Sequence, residues 1–253
     1  MTKKKRVVID NATLRSLYSE LVAGDLVVGR LRLLPSEEHL LLDLRERGVE
    51  LFPPALSQLA SRSKTLQVSL YARQMLPLTW AVHDIHGLQQ AMAEYHQHKI
   101  GRVVTKLDRK NGGLGIHLWS SVEEVFNQAS LGVLPYPFVL QPFCPESRDI
   151  RVVVLGDYVE AYFRENATGF RNNLHFGGQS KACDLTAQQW SLCQEVMARG
   201  RFPYAHIDLL VLPDKRCYLG EINLRGGIRG ANITPADYRA RQQAIHAEVI
   251  GNG

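Results

Sequence analysis

The alternation of apolar and polar positions near the amino terminus predicts a small unit of short strands and helices. Apolar segments at Val7–Ile9, Asp25–Leu34 and Val49–Phe52 are separated by two helical segments, from Asn11 to about Val22 and from Ser36 to about Gly48. Such alternation is typical of an α/β unit. Because no glycine-rich loop follows its first strand, the unit is not a dinucleotide-binding domain, and a packing or substrate-shaping role is favoured.

The rest of the chain shows the same mixture of helical and extended patterns. Helical patterns begin at Ser63, Ile85, Glu123, Thr186 and Pro235. The predicted strands before the last hairpin are Arg102–Leu107, a second strand after the loop that follows it, Phe138–Phe143, Arg148–Leu155 and Tyr158–Arg164. The sequence therefore predicts a mixed α and β protein.

A hairpin is predicted within Tyr204–Arg229. Turn-forming residues at Pro213–Arg216 separate two runs of apolar and β-branched residues. A loop of those residues pairs Leu212 with Cys217, and the same register pairs Asp208 with Glu221.

Asn223 lies two residues beyond Glu221 and therefore projects from the same face of the strand. Carboxylates that face each other across a ladder repel, and a bound divalent cation would reverse that repulsion. Asp208, Glu221 and Asn223 supply the oxygen ligands that Mg²⁺ accepts. The alternative is an ordinary amphipathic hairpin with a polar outer face, and the hairpin alone leaves both interpretations open.

A glycine-rich loop follows the strand that carries Lys106. Gly112, Gly113 and Gly115 would let backbone amides approach phosphate oxygens, and Lys106 would add a positive charge at the base of the loop. The spacing matches neither of the common nucleotide-binding glycine motifs. A simple hairpin turn is the alternative.

Composition narrows the class of partner only slightly. The 253 residues carry a net charge of +5, with 45% hydrophobic and 22% charged residues, which is typical of a globular protein. A positive net charge suits binding of a nucleotide as well as of nucleic acid. The sequence contains no aromatic-rich basic stripe of the kind that binds nucleic acid. No segment reaches the ~18 apolar residues of a membrane-spanning helix. The cysteines lack metal spacing, so we expect reduced thiols and a cytoplasmic protein.

Five motifs in a fixed order resemble the ATP-grasp superfamily, and within it the RimK-like ligases of the alpha-L-glutamate ligase type. They are Lys64 ahead of Pro77-x-Thr79; Val104-x-Lys106 before the glycine-rich loop; Gln141-x-Phe143 leading to Asp149-Ile150-Arg151-Val152; Phe170-Arg171-Asn172-Asn173-Leu174-His175-x-Gly177-Gly178; and Asp208 with Glu221-x-Asn223. The motifs span Lys64 to about Gly230.

The resemblance implies an ATP-grasp fold, in which two α+β subdomains grip ATP. A short α/β domain at residues 1–63 would precede a lid subdomain at 64–137 and a carboxy-terminal subdomain at 138–253 that carries the metal site. The implied cofactors are ATP and two Mg²⁺ (or Mn²⁺) ions. The implied partners are a carboxylate substrate and an amine or amino acid, with a homo-oligomer as the ordinary assembly.

The resemblance also implies roles for individual residues. Phosphate contacts would come from Lys64, Lys106 and the loop glycines, and adenine would lie against the backbone of Gln141, Pro142 and Phe143, with Asp149 near the ribose. Arg151, Arg171, Asn172 and Asn173 would hold the nucleotide, with Arg151, Asn173 and Lys106 acting in catalysis. Asp208, Glu221 and Asn223 would bind the metal ions.

Two departures from the family pattern concern recognition. Pro142 replaces an acidic residue beside the adenine, so base recognition would rest on the backbone. Arg225 and Arg229 follow Asn223 where the family has small residues and proline, and they are expected to bind a negatively charged acceptor.

The expected reaction is amide or peptide bond formation through an acyl phosphate, with glutamate or another amino acid added to a protein, peptide or metabolite. A small-molecule kinase and a non-catalytic nucleotide-binding protein are the alternatives.

Overall fold

The computed structural model describes residues 5–110, 112–166 and 178–251. Its first unit is a parallel sheet in the order β1-β2-β3, made of β1 (Val7–Val8), β2 (Leu26–Val28) and β3 (Glu50–Phe52). The accompanying helices are α1 (Asn11–Leu17), α2 (His39–Glu46) and α3 (Ala55–Ala60). The predicted α/β unit is therefore present.

Helix α1 begins at Asn11 as predicted, but its end and the start of α2 differ from the prediction for local reasons. The carboxylate of Asp10 accepts hydrogen bonds from the amides of Ala12 and Thr13, so Asp10 is the helix cap. Helix α1 also ends earlier than predicted, at Leu17, and a short 3-10 turn follows. Ser36 has a φ of 72°, a left-handed conformation that cannot begin a helix, and α2 starts only at His39.

The second unit is an antiparallel sheet in the order β4-β7-β5-β6. Its strands are β4 (Trp80–Val82), β5 (Val103–Leu107), β6 (Ile116–Trp119) and β7 (Phe138–Pro142), and helices α5 (Ile85–Gln97) and α6 (Val122–Ser130) pack against it. The ladder between β5 and β7 extends this sheet to Pro142, which lies beyond the domain boundary predicted between residues 137 and 138. The three-domain division itself stays a prediction.

The third unit is a five-stranded antiparallel sheet in the order β10-β9-β8-β11-β12. Its strands are β8 (Arg148–Leu155), β9 (Tyr158–Glu165), β10 (Gln179–Ala182), β11 (Tyr204–Val211) and β12 (Cys217–Asn223). Helices α4 (Lys64–Tyr71) and α7 (Ala187–Gly200) contribute to its apolar core, and the partly buried residues of α8 (Pro235–Gly251) pack against that core. The polar sequence of β10 carries no strand signal, because pairing with β9 specifies this edge strand.

Two expectations about the environment of the chain concern membranes and thiols. Among the described helices, none combines the length and apolar character needed to cross a bilayer. All four cysteines lie in the described ranges, and no disulfide joins them. The cytoplasmic location and the homo-oligomer stay predictions.

Candidate active site

The hairpin of β11 and β12 places Asp208 opposite Glu221, as the sequence predicted. The predicted pairing of Leu212 with Cys217 is wrong, because Val211 faces Cys217 and the amide of Leu212 donates to the carbonyl of Arg216. A bulge beyond Asp208 compensates for this shift of one residue. Gly220 lies at the bulge, where a Cβ would come within 3.1 Å of the Asp208 carbonyl oxygen.

Asp208 is the centre of a buried charge network on one face of the five-stranded sheet. Its carboxylate accepts hydrogen bonds from Nε of Arg151 at 2.6 Å and from Nη2 of Arg151 at 2.8 Å. Nη2 of Arg164 lies 2.8 Å from the same carboxylate. Burial alone would raise the pKa of Asp208, but the two guanidinium groups outweigh it and hold the pKa well below its usual value. Asp208 is therefore ionised.

Arg164 links Asp208 to a second carboxylate. Its Nε lies 2.6 Å from Oδ1 of Asp149. Burial raises the pKa of Asp149, and the neighbouring charge of Asp208 adds to the rise. Burial opposes the charge on Arg164, yet the two carboxylates raise its pKa above the ordinary value. The sequence did not point to a site role for Arg164, because only strand pairing brings it between these carboxylates.

Two lysines face this network from the other side of the cleft. Nζ of Lys64 lies 3.1 Å from Oε1 of Glu221 and donates at 2.5 Å to the carbonyl of Lys110, at the base of the glycine-rich loop. Lys106 projects from β5 toward the same carboxylates, and burial lowers the pKa of its ammonium group while Glu221 opposes that change. The two lysines that the sequence singled out are therefore gathered at one site.

The lysines and the charge network line a cleft of about 630 Å³ between the second and third sheets. A volume of this size is typical of small-molecule sites. Residues predicted to bind nucleotide, metal or acceptor that line it are Lys64, Lys106, Gly112, Gly113, Gln141, Pro142, Phe143, Asp149, Arg151, Asp208, Glu221, Asn223, Arg225 and Arg229.

The structure differs from the predicted nucleotide contacts at Gly115 and at the backbone of Pro142 and Phe143. Gly115 does not line the cleft, and a Cβ there would lie 2.9 Å from the Cβ of Leu107, so this glycine permits the loop to pack. The amide of Phe143 already donates to the carbonyl of Arg102 at 2.9 Å, and Pro142 has no amide hydrogen. Base recognition at this segment would therefore use other main-chain groups. Arg171, Asn172 and Asn173 lie outside the described residues.

The main chain at the outer edge of β12 is hydrogen-bonded by a side chain for which the sequence predicted no structural role. Gln67 of α4 donates from Nε2 to the carbonyls of Ala60 and Ile222, both at 2.8 Å, and its Oε1 accepts from the amide of Ile222 at 3.0 Å. These bonds fix the strand that carries Glu221 and Asn223. No local pattern signals this role, because Gln67 and Ile222 are 155 residues apart.

Replacing Gln67 by leucine is expected to lower the free energy of unfolding by about 3 kcal/mol, because it leaves buried main-chain groups of Ile222 and Ala60 without partners. Urea unfolding of the full chain measures the change. Ser69→Ala is the matched control, since Ser69 is exposed on the same helix. Equal stability of the two variants would contradict a structural role for the Gln67 bonds.

Comparison with known proteins decides the family. The model of the RimK-like ATP-grasp domain matches residues 61–239. The chain belongs to the RimK-like ATP-grasp family. The resemblance inferred from the sequence motifs is thereby confirmed, and the fold of this family implies ATP binding.

Relatives of the RimK-like chain are ligases by name. A "Probable alpha-L-glutamate ligase" of Trichodesmium erythraeum (strain IMS101) is 30% identical over 198 residues, covering 72% of this chain and 62% of the relative. The chain thus spans about six-tenths of the length of such relatives.

Solved structures of low identity share the fold of the RimK-like chain. D-cycloserine synthetase DcsG has a TM-score of 0.63 at 13% identity, covering 97% of this chain and 99% of that one. The ATP-grasp ligase PsnB, complexed with a phosphomimetic variant of its minimal precursor, Mg and ADP, has a TM-score of 0.56 at 17% identity, covering 84% and 67%. The predicted ATP-grasp architecture is confirmed.

The donor set of the RimK-like chain fits Mg²⁺. Two carboxylates and one amide, from Asp208, Glu221 and Asn223, line one cleft, and no three His, Cys, Asp or Glu side chains of the described residues form a metal cage. Such a sparse set suits an ion that completes its shell with water and phosphate oxygens. The two carboxylates are paired with cations: Asp208 with Arg151 and Arg164, and Glu221 with Lys64. Arginine and lysine side chains also bind phosphate groups.

Proposed function

We propose that the chain is an ATP-dependent carboxylate–amine ligase that uses Mg²⁺. One observation carries the proposal: the cleft between the two antiparallel sheets brings two lysines and two arginines within reach of a facing carboxylate pair. They are Lys64, Lys106, Arg151, Arg164, Asp208 and Glu221. Such a site offers positive charge to a triphosphate and oxygen ligands to its metal ion.

The chemistry that this site supports is phosphoryl transfer followed by acyl transfer. An oxygen of the substrate carboxylate attacks the γ-phosphorus of ATP, and the bond to the β,γ-bridging oxygen breaks to release ADP. The amine then attacks the acyl carbon, inorganic phosphate leaves and the nitrogen loses a proton. Activation divides a difficult condensation into two easier steps.

The residues of the chain act by positioning and by electrostatic stabilisation, which supply most of the rate in phosphoryl transfer. Lys64 and Lys106 hold phosphate oxygens, and Arg151 stabilises negative charge that develops on the transferred group. Asp208, Glu221 and Asn223 would hold Mg²⁺, which supplies charge neutralisation at the phosphates. The number of ions, and Mn²⁺ as a substitute, belong to the same proposal.

The names of the relatives support a ligase over a small-molecule kinase or a non-catalytic nucleotide-binding protein. Glutamate is the amino acid that their printed names suggest as a substrate, so a product that carries an added glutamate is our first choice. The named relatives therefore favour the ligase over both alternatives.

The test is ADP release from ATP and Mg²⁺ in the presence of L-glutamate and pools of carboxylic acids, with mass spectrometry of the product. We expect ADP and phosphate in equal amounts, and a product lighter than its two precursors by one water. A phosphate ester as the final product would contradict the ligase proposal, and so would ATP consumption that is independent of the amine.

Replacing Glu221 by glutamine is expected to raise the Mg²⁺ concentration needed for half-maximal activity by about 100-fold, because a neutral amide is a weaker ligand than a carboxylate. Magnesium titration of the steady-state rate at saturating ATP measures this change. Glu46→Gln, an exposed residue outside the cleft, is the control and should match the wild type. An unchanged titration for Glu221→Gln would remove Glu221 from the metal set.

A further inference from the structure

The loop of residues 224–230, which follows β12, is held against the site at two adjacent glycines. The main chain of Gly226 lies against the ring of His206. The carbonyl of Gly227 accepts a hydrogen bond from Nη1 of Arg151 at 3.1 Å. This loop is also the segment in which the sequence departs from the family pattern. Its contacts therefore belong to this chain in particular.

The contact between Gly226 and His206 leaves no room for a side chain. A Cβ at position 226 would lie 2.7 Å from both Cγ and Nδ1 of His206. Gly226 does not have the left-handed φ that favours glycine, so this contact, and not the backbone conformation, excludes alanine. Nδ1 of His206 is buried and has no hydrogen-bond partner in the described part of the chain. The ring therefore supports the loop by packing and not by hydrogen bonding.

The ring of His206 is itself fixed from the other side. His206 lies on β11, two residues before Asp208, and is only 2% exposed. Its Nε2 pairs with the hydroxyl of Tyr238 at 2.9 Å, and the centres of the two rings are 5.5 Å apart. Tyr238 belongs to α8, so this helix holds the ring against which the loop packs.

The Gly227 carbonyl is one of two anchors of Arg151. Nε and Nη2 of Arg151 donate to the carboxylate of Asp208, and Nη1 donates to Gly227. These bonds hold the guanidinium from two sides and leave two N–H groups for an anion in the cleft. A displacement of about 1 Å in a group that positions a reacting atom can lower a rate by about 100-fold. The place of the loop therefore matters to the chemistry.

We infer that His206 is a positioning residue for the proposed ligation. Its ring, held by Tyr238, supports Gly226. The neighbouring carbonyl of Gly227 then stays on Arg151, whose remaining N–H groups are directed at the transferred phosphoryl group. The inference rests on the proposed function.

Gly226→Ala is expected to lower kcat of the proposed ligation by about tenfold or more, with KM for ATP within about twofold of the wild type. The added methyl group displaces the loop from the His206 ring, whereas the lysines of the cleft keep their places. Steady-state kinetics of the full chain measures both constants. Gly101→Ala is the control, since position 101 lies outside the cleft, has no left-handed φ and offers open space to a Cβ.

Tyr238→Phe is a second variant that adds no atom, so it tests the inference even if Gly226→Ala is unstable. It removes only the hydroxyl that holds the His206 ring. We expect kcat to fall by about fivefold, the effect of one lost hydrogen bond, with KM for ATP unchanged. A wild-type kcat for both Tyr238→Phe and Gly226→Ala would overturn the inference.

A double-mutant cycle tests whether the loop acts through Arg151. Arg151→Lys cannot keep the fixed set of bonds to Asp208 and Gly227, so adding Gly226→Ala to it should lower kcat by less than about twofold further. The losses of stability in urea should likewise be smaller together than the sum of the two single losses. The same fold-loss of kcat in both backgrounds would contradict the inference.

The urea cycle separates failure of the inference from failure of the proposed function, because it needs neither nucleotide nor substrate. Additive losses of stability for Gly226→Ala and Arg151→Lys would overturn the link between the loop and Arg151. A wild type that shows non-additive losses in its variants but forms no ligation product would count against the proposed function instead.

Discussion

Asp208→Asn is expected to lower the rate of the proposed ATP-dependent ligation by about 1,000-fold or more and the free energy of unfolding by about 3 kcal/mol. The carboxylate lies between Arg151 and Arg164, only 15% exposed, and faces Glu221 across the ladder. Asparagine preserves the shape but leaves two buried guanidinium groups without their shared anion. It also removes a charged oxygen from the proposed metal set. One substitution thus removes both the buried ion pairs of Asp208 and a proposed metal ligand.

Single-turnover ADP release and urea unfolding measure the two effects separately, with the rate taken well below the unfolding transition. Asp214→Asn is the matched control, because Asp214 lies in the exposed turn of the same hairpin, paired with Arg216. The control should retain wild-type activity. If Asp208→Asn kept its rate within about tenfold of the wild type, the central position of Asp208 in the site would be refuted.

Arg151→Lys is expected to lower kcat of the proposed ligation by about 100-fold or more with a smaller change in KM for ATP. Nε and Nη2 of Arg151 donate to Asp208, and Nη1 donates to the carbonyl of Gly227 at 3.1 Å. The guanidinium has five N–H groups, so two remain for an anion in the cleft. Lysine keeps the charge but cannot hold both partners and present further donors in a fixed direction.

Steady-state kinetics with ATP and the amine varied in turn separates kcat from KM. Arg148→Lys is the control on the same strand, since Arg148 stacks on Phe163 and pairs with Glu165 at the exposed end of β8. We expect the control to change the rate by less than about twofold. An Arg151→Lys enzyme with normal kcat would show that charge alone suffices at this position.

The facing pair of Asp208 and Glu221 shows how a correct prediction can follow from an incorrect register. The sequence indicated a turn at Pro213–Arg216, but the ladder closes with Val211 opposite Cys217. The bulge opposite Gly220 restores the pairing at Asp208. Turn-forming residues predict that a hairpin forms. A bulge depends on contacts between the two strands, which the sequence of either strand alone does not show.

Helix boundaries and edge strands were less predictable than the interior strands. The strands β8 and β9 carry clear apolar alternation and were predicted nearly to their ends. The polar strand β10 was missed, because its hydrogen bonds to β9 specify it and its side chains do not.

The sequence by itself determined the order of the family motifs, the mixed α and β class and the carboxylates and lysines of the site. These features depend on residue identity and spacing, which local patterns record. Only the tertiary structure placed Arg164 between two carboxylates, Gln67 against the edge of β12 and the carbonyl of Gly227 beside Arg151. Each of those contacts joins segments far apart in the chain, so the packing of sheets and helices decides it.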